Sequence, residues 1–80
     1  MHELGLTRNI VSIVREHASG RQVNRVRLAI GPLACIEKQA IEFCFDLVVK
    51  DTELAKAKLE FVEGEGDTFL IKEYELEEIT

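Results

Sequence analysis

The sequence predicts an α+β domain of two layers, with a three-stranded mixed sheet and two helices on one of its faces. Three observations predict it. Apolar residues recur at helical spacing in two stretches and alternate in three others, in the order α-β-α-β-β. The chain has 80 residues, enough for one core and not for two. A strand, a helical crossover and a second strand run parallel with a right-handed connection, and a further strand then makes the sheet mixed.

Each element has its own signal. The spacing of Leu6, Ile10, Ile13 or Val14, and His17, widened by Val11 and Ala18, predicts a helix from about Leu4 to Ser19, with Gly20 as its C-cap. Val26, Leu28 and Ile30 alternate with Arg25, Arg27 and Ala29, which predicts a strand from about Val23 to Ile30, ended by Gly31-Pro32. Ile36, Ala40, Phe43 or Cys44, and Leu47, with Val48, predict a second helix from about Ile36 to Lys50. Ala57, Leu59 and Phe61 alternate with Lys58 and Glu60, giving a strand from about Lys56 to Val62. The last strand runs from about Thr68 to Glu78. Phe69 and Ile71 share one face while Tyr74 and Leu76 share the other, so a bulge is expected near Lys72-Glu73. The glycine-rich turn at residues 63–67 joins the last two strands so closely that they read as a β-hairpin.

Charge narrows the function. With 10 basic and 15 acidic residues the net charge is −5, and no Lys/Arg-rich tract exists, which argues against nucleic acid as a partner. No apolar run approaches the roughly 20 residues that span a bilayer, so no membrane partner is expected. Met1-His2-Glu3-Leu4 does not open a secretory signal, and the expected compartment is cytoplasmic.

Catalytic constellations are scarce, and no enzyme is expected. There is no G-x-S-x-G motif and no phosphate loop, and Thr7, Ser12 and Ser19 lack a base-and-acid set. His17 reads as a histidine at the edge of the core, with a metal ligand as the minor alternative. Cys35 and Cys44 lie nine positions apart, form no C-x-x-C pair, and read as buried small hydrophobes. Glu73, Glu75, Glu77 and Glu78 read as a solvated face that also guards a sheet edge.

The N-terminus is more specific. Met1 offers its α-amine, His2 its amide nitrogen and imidazole, and Glu3 an amide or carboxylate. Such a nitrogen-rich set suits the tetragonal preference of nickel(II) or copper(II).

Met1-His2-Glu3-Leu4-Gly5-Leu6 resembles the opening of the HypA/HybF family, nickel metallochaperones for the assembly of nickel-iron hydrogenases and, in some bacteria, urease. Val26 to Glu37, Ala40 to Asp46 and Gly66 to Leu76 resemble that family's first strand and turn, second helix and closing strand, in order. The resemblance implies a single nickel-binding domain over residues 1–80, with nickel(II) held by Met1, His2 and Glu3. It implies as partners a maturation GTPase of the HypB type and a nickel-enzyme precursor, with a homodimer as an option. The family carries a zinc lobe with two C-x-x-C pairs between its last two strands, and here that place holds only Glu63-Gly64-Glu65. No structural zinc is therefore expected. A metal-free interaction module that docks a maturation partner is the alternative reading.

Overall fold

The computed structural model describes residues 2–78, and for His2 the backbone alone. Its elements are α1 (His2–Ala18), β1 (Val23–Ile30), α2 (Lys38–Val48), β2 (Lys58–Glu63) and β3 (Phe69–Leu76). The order, the two helices and the three-stranded mixed sheet are those expected.

The first helix ends where a positive φ is needed. Ser19 and Gly20 stand at φ 51° and 87°, and the Arg21 amide bonds back to the Ala18 carbonyl at 3.0 Å. This reversal makes α1 antiparallel to β1. The crossover from β1 to β2 runs through α2 and brings the two strands side by side in parallel, with Val26 beside Leu59 and Leu28 beside Phe61. Val26 and Leu28 are fully buried and pack with Ile10, Val11 and Val14 of α1 and Ile41 and Phe45 of α2.

The pairing of the last strand differs from the hairpin expected. The strand order is β2-β1-β3, so β3 lies antiparallel to β1 and not beside β2. Two physical reasons favour this. β1 is the most buried strand and takes the centre, whereas β2 and β3 each keep a wet face and suit the edges. The outward residues of β2 and β3 include Glu60, Glu73 and Glu75, which a hairpin would bring close together as like charges. With β1 between them, Arg27 sits beside Glu60 on one side and Glu73 on the other. The turn at 63–67 therefore crosses over the end of β1. Strands are about 4.8 Å apart, so the crossing spans roughly 10 Å, well within the reach of residues 64–68. Gly31 lies beneath the crossing, its amide bonded to the Thr68 carbonyl at 2.8 Å and the Leu33 amide to the Gly66 carbonyl at 2.8 Å. The bulge stands as expected, because Ile71 pairs with Leu28 and Glu73 with Arg27, leaving Lys72 over.

The structure decides between the alternatives the periodicity left open, Val14 over Ile13 and Cys44 over Phe43, and departs from it at Leu47. In α2 the buried set is Ile41, Cys44 and Phe45, while Phe43 and Leu47 are 66% and 50% exposed. In α1 Val14 is buried and Ile13 is not, His17 is exposed, and Thr7 is buried at 1%. Cys44 is buried as expected, but Cys35 is exposed, because it sits in the loop before α2 at φ 56°.

Candidate metal centre

His2 and Glu3 of the N-terminal motif lie in the first turn of α1, which starts at His2 rather than Leu4. Met1 and the His2 side chain lie outside the described residues, so of the three expected ligands only Glu3 is described in full, as a half-exposed residue of that turn. The first amides of a helix have no partner within it. A metal that displaced the His2 or Glu3 amide proton would therefore break no helical hydrogen bond. In helical backbone ψ is about −42°, and consecutive amide nitrogens lie on the same side of the chain, as a five-membered chelate ring requires. The positive end of the dipole opposes a cation there by roughly 0.3–1 kcal/mol, which the Glu3 carboxylate offsets in part.

The turn is anchored from below. Thr7 Oγ1 donates to the Glu3 carbonyl at 2.6 Å, satisfying a hydroxyl buried in the core. The sequence reading weighed Thr7 only as a nucleophile, and its helical offset from Ile10, Val11 and Val14 is the one signal for its place in the core.

The other candidate ligands do not join this site. His17 lies fifteen residues further along the same helix, about 22 Å away at 1.5 Å per residue. There its Nδ1 stands 3.1 Å from the Tyr74 hydroxyl, with the two rings edge to face. Cys35 lines a cavity of about 490 Å³ with Ile30, Ile36, Lys38 and Glu63, a set with a single thiol and a single carboxylate. Among the described residues no group of three or more His, Cys, Asp and Glu side chains is placed to hold a metal ion.

Of the acidic strand residues, Glu60 and Glu73 are engaged in ion pairs. Arg27 donates through Nε and Nη2 to Glu60 Oε1, at 3.1 and 2.9 Å, and through Nη1 to Glu73. The hydrogen bond from Arg27 holds the Glu60 carboxyl below its usual value, helped by the charges of Arg25, Arg27 and Lys58 and opposed by desolvation. Glu75 faces Arg25 across the ladder. Arg25 and Arg27 thus pair with glutamates of the flanking strands, an arrangement legible in retrospect from arginines alternating in the central strand and glutamates in both its neighbours.

Residues 1–69 match the family model for hydrogenase/urease nickel incorporation, the metallochaperone HypA. The chain belongs to the HypA family. The family so described is one of metal carriers and not of catalysts. The hydrogenase maturation factor HypA of Crocosphaera subtropica is 54% identical over 66 residues, which cover 82% of this chain and 58% of that protein. That of Nostoc sp. is 53% identical over the same length and shares of each chain, and that of Actinobacillus succinogenes is 48% identical over 65 residues, 78% of this chain and 58% of that one. The chain thus spans a little under three-fifths of the length of these HypA relatives. The solution structure of the Ni metallochaperone HypA from Helicobacter pylori superposes with a TM-score of 0.71 at 20% identity, over 78% of this chain and 56% of that one, a likeness of fold. No helix among the described residues is long and apolar enough to cross a membrane.

Proposed function

We propose that this HypA-family chain carries nickel(II) to the maturation of nickel enzymes, nickel-iron hydrogenase first and urease as a second client, with the metal held by Met1, His2 and Glu3. Family membership is the observation that carries the reading. The start of α1 at His2 adds physical support, since it leaves the amides of the motif without helical partners. A ligand set at a helix end suits a carrier that must release its cargo. The expected partners are a maturation GTPase of the HypB type and a nickel-enzyme precursor, in the cytoplasm. A structural zinc is not part of the reading, because Cys35 and Cys44 belong to no C-x-x-C pair.

Calorimetric titration with nickel tests the site. Untagged protein should bind, whereas the His2→Ala variant and protein acetylated at Met1 should lose most of the binding with unchanged circular dichroism. Binding should weaken as pH falls below about 7–8, where protons compete for the α-amine. Nickel bound as tightly by the acetylated protein would refute the N-terminal assignment.

A further inference from the structure

We propose that β3 is the edge at which two copies of this chain join, antiparallel about a twofold axis, so that their three-stranded sheets become one; the inference stands apart from the metal reading. The outer edge of β3 pairs with no strand among the described residues. Its backbone groups are aimed there. The Thr68 carbonyl and the Glu77 amide both bond toward β1, to Gly31 and Gln22. Bonding directions alternate along a strand. Counting inward from Thr68 and from Glu77 therefore turns the amides and carbonyls of Phe69, Ile71, Tyr74 and Leu76 to the open edge, and the bulge at Lys72 reconciles the two counts.

The same four residues form the apolar row on the helix-bearing face of β3, and each is only half-buried. Leu6, Ile13 and His17 share one flank of α1, and His17 meets Tyr74, so this flank overlooks β3. Leu6 is half-buried and Ile13 is 41% exposed. Apolar surface thus runs from the flank of the helix to the row of the strand and stops at the open edge. A second copy related by the twofold axis brings the same row and the same flank up to it.

Parity and charge select a second copy as the occupant and fix its register. Residues opposed in a ladder share a face of the sheet. The bulge puts the inward residues at odd positions in the first half of β3 and at even positions in the second. The first half of one copy therefore matches the second half of the other. Phe69 lies opposite Leu76 and Ile71 opposite Tyr74, each pair occurring twice, with about eight hydrogen bonds between the copies. A shift of two residues either way sets Ile71 against Lys72 or Tyr74 against Glu73, on the wrong faces. In the matched register Lys72 meets Glu73 at both central positions and Leu70 meets Glu75, so no like charges are opposed. Glu73 and Glu75 repel strands that lack this complement.

Sedimentation equilibrium of the full chain, carried up to about 500 µM, tests the proposal, and a dimer with Kd below about 100 µM is expected. Lys72→Glu and Glu73→Lys each set like charges at both central contacts, and each should weaken the dimer at least about tenfold with unchanged circular dichroism. An equimolar mixture of the two variants has opposite charges at both contacts and should dimerise again. Phe43→Lys, on the exposed side of α2, should dimerise as the wild type does. In a sample that mixes isotope-labelled and unlabelled chains, NMR contacts between copies should join Ile71 to Tyr74. A monomer throughout the concentration range, undiminished association of Lys72→Glu, no recovery in the mixture, loss of the dimer in Phe43→Lys, or contacts between copies that leave out β3 would each overturn the proposal.

Discussion

Replacing Gly31 by alanine places a methyl carbon 2.7 Å from the Glu65 carbonyl oxygen and 2.8 Å from the Gly66 carbonyl carbon, with the Gly66 oxygen closer still. All three atoms are backbone, so no rotamer change relieves the clash. The crossing connection must lift away from β1 by several tenths of an ångström or more. Two bonds pin it there, Leu33 N–H to the Gly66 carbonyl and Gly31 N–H to the Thr68 carbonyl, both at 2.8 Å. Overpacking costs about 1–3 kcal/mol, and a weakened hydrogen bond adds about 0.5–1.5 kcal/mol. Gly31→Ala should therefore destabilise the domain by about 2–4 kcal/mol. For a domain of this size that lowers Tm by roughly 10–25 °C. Urea unfolding followed by circular dichroism reads the change, and Gly64→Ala serves as a control. There the new methyl meets mainly the Thr68 side chain at 3.3 Å, so the cost should be distinctly smaller. If Gly31→Ala and Gly64→Ala cost the same, or if Gly31→Ala costs under about 0.5 kcal/mol, the connection does not cross over β1 as described and a β2–β3 hairpin becomes the better account.

Three further outcomes are expected. Phe45→Ala should cost about 3–5 kcal/mol and Phe43→Ala less than about 1 kcal/mol, since the first side chain is 3% exposed and the second 66%; thermal melts of the two variants check this. Gly5→Ala should stabilise by about 0.5–1 kcal/mol, because the position is helical and the new methyl meets open space, which chemical unfolding will read. The Glu60 carboxyl should titrate by NMR below the usual value of about 4.3 and move up toward it in Arg27→Met. Because its folded pKa is depressed, its contribution to stability is present above the unfolded pKa and is lost as pH falls through the folded one. Wild type and Arg27→Met should therefore converge in stability at acid pH.

Local structure was legible in the sequence because local signals fix it. β1 has the bounds its alternation and the following Gly31-Pro32 suggest, and the parity change between Ile71 and Tyr74 marked the bulge at Lys72. The pairing of β3 was not legible. A five-residue connection fixes neither register nor neighbour, and the decision rests on which strand is buried deepest and where Arg27 finds its two glutamates. The inward face of α2 was ambiguous for a related reason. Ile36, Ala40, Phe43 or Cys44, Leu47 and Val48 repeat at helical spacing, but so does Ile41 with Cys44 and Phe45; the core buries the latter three, leaves Phe43 and Leu47 exposed, and holds Ile36 and Val48 half-buried at its edge. Of the candidate site, the motif itself was plain to read, but Thr7 beneath it was not, since its polar side chain masks the helical offset that sets it among Ile10, Val11 and Val14.

The length of α1 gives the motif its setting. Seventeen helical residues measure about 25 Å, and the eight residues of β1 measure about 26 Å, so the helix runs the full length of the strand it opposes. The reversal at Ser19 and Gly20 places the C-terminal end of α1 over the start of β1, where His17 meets Tyr74, the partner of Val26. The N-terminal end then comes level with the last residues of β1, where the connection crosses Gly31 and where α2 begins after Glu37. The residues that hold the layers together, Val14, Val26, Leu28, Ile41 and Phe45, belong to the interior of their elements. Of the motif, Glu3 is tied to the layers through its carbonyl, which accepts from Thr7. Glu3, the described member of the proposed ligand set, therefore lies apart from the side chains that hold the layers together.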